Sequence, residues 1–148
     1  MTKNLKAFLA MIAKSEGTYG HGDDGYDVIV GYRYFNDYSD HPRQKVYLPK
    51  LNIYSTAAGR YQILERYYDH YKKQLKLPDF SKDSQDAIAV QLIRECKALD
   101  DIEAGRIETA INKCRSRWAS LPGAGYGQHE RRIGFLVQAF IDNGGMLA

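Results

Sequence analysis

An apolar stripe of helical spacing, Leu5, Phe8, Leu9 and Ile12, stops at Ser15-Glu16-Gly17-Thr18, and a β-rich pattern follows. Apolar residues three and four apart mark one face of a helix, whereas alternation marks a strand. The chain must therefore turn from helix to sheet through the short loop that holds Gly17, Gly20, Gly22 and Gly25. Val28, Ile29 and Val30 make the β-rich run, and Gly31 interrupts it before Tyr32-Arg33-Tyr34-Phe35. This is the pattern of a hairpin or short antiparallel sheet. A third extended piece runs through Val46-Tyr47-Leu48, and Pro49 makes it an edge strand or an exit from the sheet.

The remainder reads as helical. The first helix covers residues 4–15, with Asn4 as its N-cap and Gly17 as its stop. Ser55-Thr56 caps a helix from about Ala57 to about Leu75, with Tyr61, Leu64, Tyr68 and Tyr71 on its apolar face. Ser81 caps a helix bearing Ile88, Leu92, Ile93 and Cys96, and a short helix over 98–104 stops at Gly105. Ile107, Ala110, Ile111 and Cys114 mark another, ending near Trp118, which continues its apolar face and reads as core. After a Gly-rich loop, Ile133, Leu136, Val137, Phe140 and Ile141 form a last helix that Gly144-Gly145 closes. The fold class is α+β, mainly helical, with a small antiparallel sheet forming one side of a substrate cleft. A chain of 148 residues, 44% of them hydrophobic, suits a single domain, with a small β lobe at about 20–55 and a helical lobe for the rest.

Glu16 follows Ile12 by four residues, so its carboxyl lies on the core-facing stripe one turn from the helix end. Partial desolvation there favours the neutral form and raises the pKa. A neutral carboxylic acid near pH 7 is what a general acid requires. The competing interpretation is a solvated glutamate in an ordinary helix stop.

Charge and composition narrow the partners. A formal net charge of +3 is too small to argue for nucleic acid, and it suits an acidic polymer such as a cell wall. Twelve tyrosines stand against one tryptophan. A tyrosine joins a flat apolar face to a hydroxyl, which fits the faces and edges of sugars, although most such rings simply pack. Cys96 and Cys114 have no metal-ligand spacing and read as small apolar residues in reduced form. The four histidines are scattered, so no metal and no cofactor is expected. No apolar run is long enough to span a bilayer. Lys6 and Lys14 break the N-terminal apolar pattern, which makes it a poor signal peptide. The protein is expected to stay soluble in the cytoplasm unless another route exports it.

Five segments carry a resemblance. They are Ser15-Glu16-Gly17-Thr18, Gly25-Tyr26-Asp27-Val28-Ile29-Val30-Gly31, Asp37-Tyr38-Ser39-Asp40-His41-Pro42-Arg43, Ala58-Gly59-Arg60-Tyr61-Gln62 and Trp118-Ala119-Ser120-Leu121-Pro122-Gly123-Ala124-Gly125-Tyr126-Gly127-Gln128. In this order they resemble the lambda-type phage endolysins, from about Lys6 to about Gly145. The resemblance implies a lysozyme-like fold and cleavage of peptidoglycan between N-acetylmuramic acid and N-acetylglucosamine. It implies a lytic transglycosylase, in which the muramic acid 6-hydroxyl attacks its own C1 and leaves a 1,6-anhydro end. The family's catalytic glutamate falls on Glu16. With no signal peptide evident, such an enzyme is expected to accumulate inside and to be released to the wall by a separate membrane-permeabilising phage protein, a holin. The expected partner is the glycan strand, with no nucleic acid, no stable membrane insertion and a monomeric enzyme.

One carboxyl can serve as acid and then as base when the substrate supplies the nucleophile, whereas a hydrolase normally requires a second. Asp27, which opens the first strand beside Tyr26, is the best second candidate, with a structural or substrate-orienting role preferred. Ser55, Gly59, Tyr61 and Gln62 lie where the sheet returns to a helix. Backbone amides there can hold N-acetyl carbonyls, Gly59 lets backbone approach a ligand, and Gln62 can bond to sugar edges. Arg60 reads as the partner of an acidic neighbour. Tyr126 and Gln128 form a further wall, or a packing ring and a helix cap. The competing functions are a hydrolytic muramidase on the same fold and a non-catalytic peptidoglycan-binding module.

Overall fold

A computed structural model, which describes residues 1–124 and 130–148, begins with helix α1, Lys3–Glu16. Thr2 is its N-cap, with Oγ1 accepting from Leu5 N at 3.1 Å, so Asn4 is not the cap. The Asn4 amide instead donates to Ile102 O at 2.9 Å and Met146 O at 3.1 Å. Gly17 ends the helix at φ 77°, as expected, and its N–H returns to Ala13 O and Lys14 O. A stripe alone does not describe α1. Leu5, Phe8, Leu9 and Ile12 are buried, and so are Ala7, Ala10, Met11, Ala13 and Ser15. A helix buried on most sides is a core helix, and its alanines let neighbours approach closely.

The described residues divide into two units, residues 1–17 with 89–148 and residues 18–88. The first unit holds α1, the C-terminal part of α3 (Lys82–Glu95), α4 (Leu99–Glu103), α5 (Ile107–Cys114) and α6 (Ile133–Asp142). Helix α1 packs against α4 and α6, and α5 packs against α4 and α6. Trp118 is core, at 2% exposure, together with Ile107, Ile111, Leu136 and Phe140. Each fully buried aliphatic or Phe side chain contributes roughly 1.5–3 kcal/mol relative to exposure. Ile141, one of the apolar residues that mark the last helix, is exposed, while Phe140 beside it is fully buried. Cys114 is buried and Cys96 half-buried, both as free thiols hydrogen-bonded to each other.

The second unit contains the β structure. Strand β1 (Val28–Ile29) pairs antiparallel with β2 (Arg33–Tyr34), with Val28 opposite Tyr34. Strand β3 (Val46–Leu48) pairs with β4 (Ile53–Ser55), with Tyr47 opposite Tyr54. Among the described residues there are thus two small sheets where one was expected, and β4 was not anticipated. Pro49 lies in the turn between β3 and β4, where its missing N–H costs no ladder bond. The α+β, mainly helical class holds.

Helix α2 runs from Glu65 to Leu75, not from Ala57. Ala58 bridges both Ile29 and Ile63, so residues near it run extended against β1. Gly59 at φ 82° and Gln62 at φ 52° are left-handed, a conformation a right-handed helix cannot include. Thr56 still caps α2 from a distance, its Oγ1 accepting from Glu65 N at 3.0 Å. Ser81 caps α3 as expected, its Oγ accepting from Ser84 N at 3.3 Å. The aromatic core of this unit explains part of the tyrosine count. Phe80 lies 5.1 Å from Tyr68 and 4.9 Å from His41, between ring centroids. His41 is buried as a neutral ring, with Nε2 donating to Ile63 O and Nδ1 accepting from Arg43 N, both at 2.9 Å.

Candidate active site

Glu16 is the last residue of α1, and the left-handed Gly17 turns the chain away immediately after it. Its side chain keeps some access to solvent but sits within packed protein. Burial pushes its carboxyl up from 4.5 to about 7, against a hydrogen bond from Ser120 and the positive charge of Arg131, which both favour ionisation. Burial is therefore the dominant effect, as the position on the helix stripe implied. Ser120 is itself fixed, its Oγ 2.6 Å from Ser15 Oγ, with both residues buried. Arg131 Nε donates to Ser15 O at 3.3 Å. A carboxyl that is close to half protonated at neutral pH, with polar groups that hold it, can give a proton and take one back.

The residues of the second unit that the sequence singles out form a network of their own. Tyr26 Oη and Tyr61 Oη both donate to Asp86 Oδ1, at 2.9 and 2.6 Å. Arg60 Nη1 donates to Tyr61 Oη at 3.1 Å, and its guanidinium lies 5.3 Å from the Tyr26 ring centroid. Arg60 also pairs with Asp24 at 3.6 Å, the acidic neighbour expected of it. Burial is the main cause that raises the pKa of both tyrosines. Tyr61 is only 1% exposed, so its ring is part of the packed network, whereas Tyr26 is half-buried.

Asp27 Oδ1 accepts from Asp23 N at 2.8 Å, a structural bond within its own loop. Ser55 Oγ accepts from Ala57 N at 3.2 Å. Gln62 Nε2 donates to Gly59 O at 2.9 Å and Val28 O at 3.3 Å, so its amide nitrogen braces the turn. The backbone amides near Gly59 are not free to hold N-acetyl carbonyls, which corrects that expectation. Ala58 N donates to Ile63 O, Gly59 N to Val28 O and Arg60 N to Gln85 Oε1, at 3.1, 2.8 and 2.9 Å. A bridged strand segment uses its own donors, and a helix N-terminus would have left them open. Tyr126 and Gln128 lie outside the described residues.

Sequence patterns missed Ser120, Arg131, Asp86 and Gln85. Ser120 stands inside the Trp118 to Gln128 segment, which was the available signal. Nothing comparable marked Asp86 or Gln85. Among the described residues no group of His, Cys, Asp and Glu side chains could hold a metal ion.

Comparison of the whole chain defines the class. It superposes on bacteriophage lambda lysozyme complexed with a chitohexasaccharide with a TM-score of 0.96 and 51% identity, covering 100% of this chain and 98% of that one. Lysozyme from bacteriophage lambda gives a TM-score of 0.91, again at 51% identity, with the same coverage. The fold is that of a lysozyme. An endolysin of Escherichia phage P2 is 52% identical, covering 99% of this chain and 96% of that protein. The endolysin of Escherichia phage lambda is 55% identical, covering 95% and 90%. The Endolysin family model matches residues 6–147, and the chain belongs to the endolysin family, enzymes that degrade peptidoglycan.

Proposed function

We propose that this endolysin is a lytic transglycosylase acting between N-acetylmuramic acid and N-acetylglucosamine, with Glu16 as its acid and base. The observation that carries the reading is the Glu16 carboxyl, raised to about 7 by burial and held by Ser120. In the first step its proton passes to the glycosidic oxygen as the bond to muramic acid C1 breaks. The muramic acid 6-hydroxyl then bonds to C1 and releases its proton to the Glu16 carboxylate. The carboxyl ends in its starting state, no water is consumed, and no second carboxylate is required. Asp27, held by a backbone amide of its own loop, fits an orienting role better than a nucleophile's. A glycan substrate is supported by the related lambda lysozyme having been solved with a chitohexasaccharide.

Products decide between this reaction and hydrolysis on the same fold. Purified peptidoglycan digested in labelled water should yield muropeptides ending in 1,6-anhydromuramic acid, without label, by mass spectrometry. Products that carry one labelled oxygen and a reducible muramic acid end would make the enzyme a hydrolytic muramidase. Intact peptidoglycan after incubation would leave only a binding module.

The pH dependence has a definite sign. Glu16 must begin protonated, so activity on soluble glycan strands should fall as pH rises through about 7. A rate that instead climbs steadily from pH 6 to pH 9 would exclude Glu16 as the acid. As to access, the proposed sequence is accumulation in the host cytoplasm and release to the wall by a holin. No helix among the described residues is long and apolar enough to cross a membrane.

A further inference from the structure

Two hydroxyls stand behind Glu16 in series. Ser15 and Ser120 are 3% and 5% exposed, their Oγ atoms are 2.6 Å apart, and Ser120 also bonds to the Glu16 carboxyl. A hydroxyl carries one proton to donate and two lone pairs to accept with. When Glu16 is ionised, Ser120 gives its proton to the carboxylate and must accept from Ser15. When Glu16 is protonated, its O–H can donate to Ser120, whose own proton then turns towards Ser15. A helical serine freed from donating to Ser120 can donate to the carbonyl one turn back. Both arrangements use the same heavy-atom positions, so neither state strands a buried polar group.

We propose that Ser120, held in place by Ser15, is a positioning residue that serves Glu16 in both protonation states, reversing its hydrogen bond between the acid and base halves of the reaction. The proposal rests on the reading of Glu16 as acid and base. Among the described residues, the groups that act on the carboxyl are the Ser120 hydroxyl and the Arg131 cation, from the segment just before α6. Arg131 favours only the ionised form. Its Nε is also bonded to Ser15 O, so it anchors the backbone that carries both Ser15 and Glu16. Ser120 is the neutral member and the one able to reverse.

The test compares Ser120→Ala, Ser120→Thr and Ser15→Ala in the full chain. The readouts are the NMR titration of the Glu16 side-chain carboxyl and the steady-state rate on soluble glycan strands across pH. Loss of a hydrogen bond to a charged group should move the Glu16 midpoint up by about one pH unit and lower kcat about ten-fold, with KM little changed. Ser120→Thr keeps the hydroxyl and should restore both. Ser15→Ala should move the midpoint in the same direction by less. Alanine is a good helix former, so Ser15→Ala decides the matter even if Ser120→Ala does not fold. A midpoint and pH profile unchanged in Ser15→Ala and in any folded Ser120→Ala protein would overturn the proposal. An active Glu16→Gln enzyme would instead overturn the catalytic reading, and the carboxyl titrations separate the two failures.

Discussion

Glu16→Gln should reduce peptidoglycan cleavage by about 10²–10⁴-fold, the range attributed to general acid–base groups, while the protein remains folded. Glutamine keeps the shape of the side chain and can hydrogen-bond to Ser120, but it has no proton to deliver and cannot accept one from the 6-hydroxyl. The same substitution should stabilise the fold at alkaline pH. The folded protein holds the Glu16 proton more tightly than the unfolded chain does, because burial raises the carboxyl from 4.5 to about 7. The wild-type side chain therefore carries no penalty below pH 4.5, a growing one as pH rises from there to 7, and its full penalty above that. Neutral glutamine escapes it. Denaturant midpoints of the two proteins should meet near pH 4 and separate by pH 8, with the variant the more stable by up to about 3 kcal/mol, less whatever partial exposure relieves. Cleavage at wild-type rate by a folded Glu16→Gln protein would remove the central assignment. Parallel stability curves across pH would show that the carboxyl is not desolvated. The two measurements together describe one trade, in which burial that weakens the fold keeps the acid protonated at neutral pH.

What was legible in the sequence was local. The Leu5 to Ile12 stripe, the stop at Gly17 and the place of Glu16 on that stripe need only helix geometry, and the structure reproduces them. The hairpin from Val28 to Tyr34 follows equally from alternation and Gly31. The errors have non-local causes. Residues 57–64 read as helix because Tyr61, Leu64 and Tyr68 have helical spacing, yet Ala58 pairs with Ile29 and forces the segment to extend. Asn4 has the chemistry of a cap, but carbonyls near residue 102 and Met146 outcompete that use. Ser120 and Arg131 are more than one hundred residues from Glu16 in sequence, and no period links them. The same holds for Tyr26, Tyr61 and Asp86, which meet only after β1 and α3 have been placed. The candidate acid was therefore readable as a residue, while the groups that tune it were not.

Gly59→Ala should destabilise the protein by about 2–4 kcal/mol and lower its Tm by about 5–15 °C. Two costs combine. Gly59 has φ 82°, where a side chain is strained. An added methyl would also collide with the Gln85 side-chain oxygen, with its amide carbon 2.8 Å away and Phe80 Cζ 3.0 Å away. Gln85 cannot withdraw cheaply. It is fully buried, its Oε1 accepts from Arg60 N at 2.9 Å, and its Nε2 donates to Phe80 O at 3.0 Å and Tyr26 O at 3.1 Å. Moving it would strand three backbone groups at once, including the carbonyl of Tyr26. Gly20→Ala is the matched control, because Gly20 has φ 75° and nothing within 4 Å of an added Cβ. It should carry the backbone strain alone, roughly 1–2 kcal/mol. Urea unfolding of the two variants separates the steric cost from the conformational one. If Gly59→Ala proved no less stable than Gly20→Ala but lost affinity for glycan strands, Gly59 would be there to admit the ligand, as its sequence context first suggested. If its stability falls as expected, the glycine is there to admit Gln85, and the connection from β4 to α2 is built around that one buried amide.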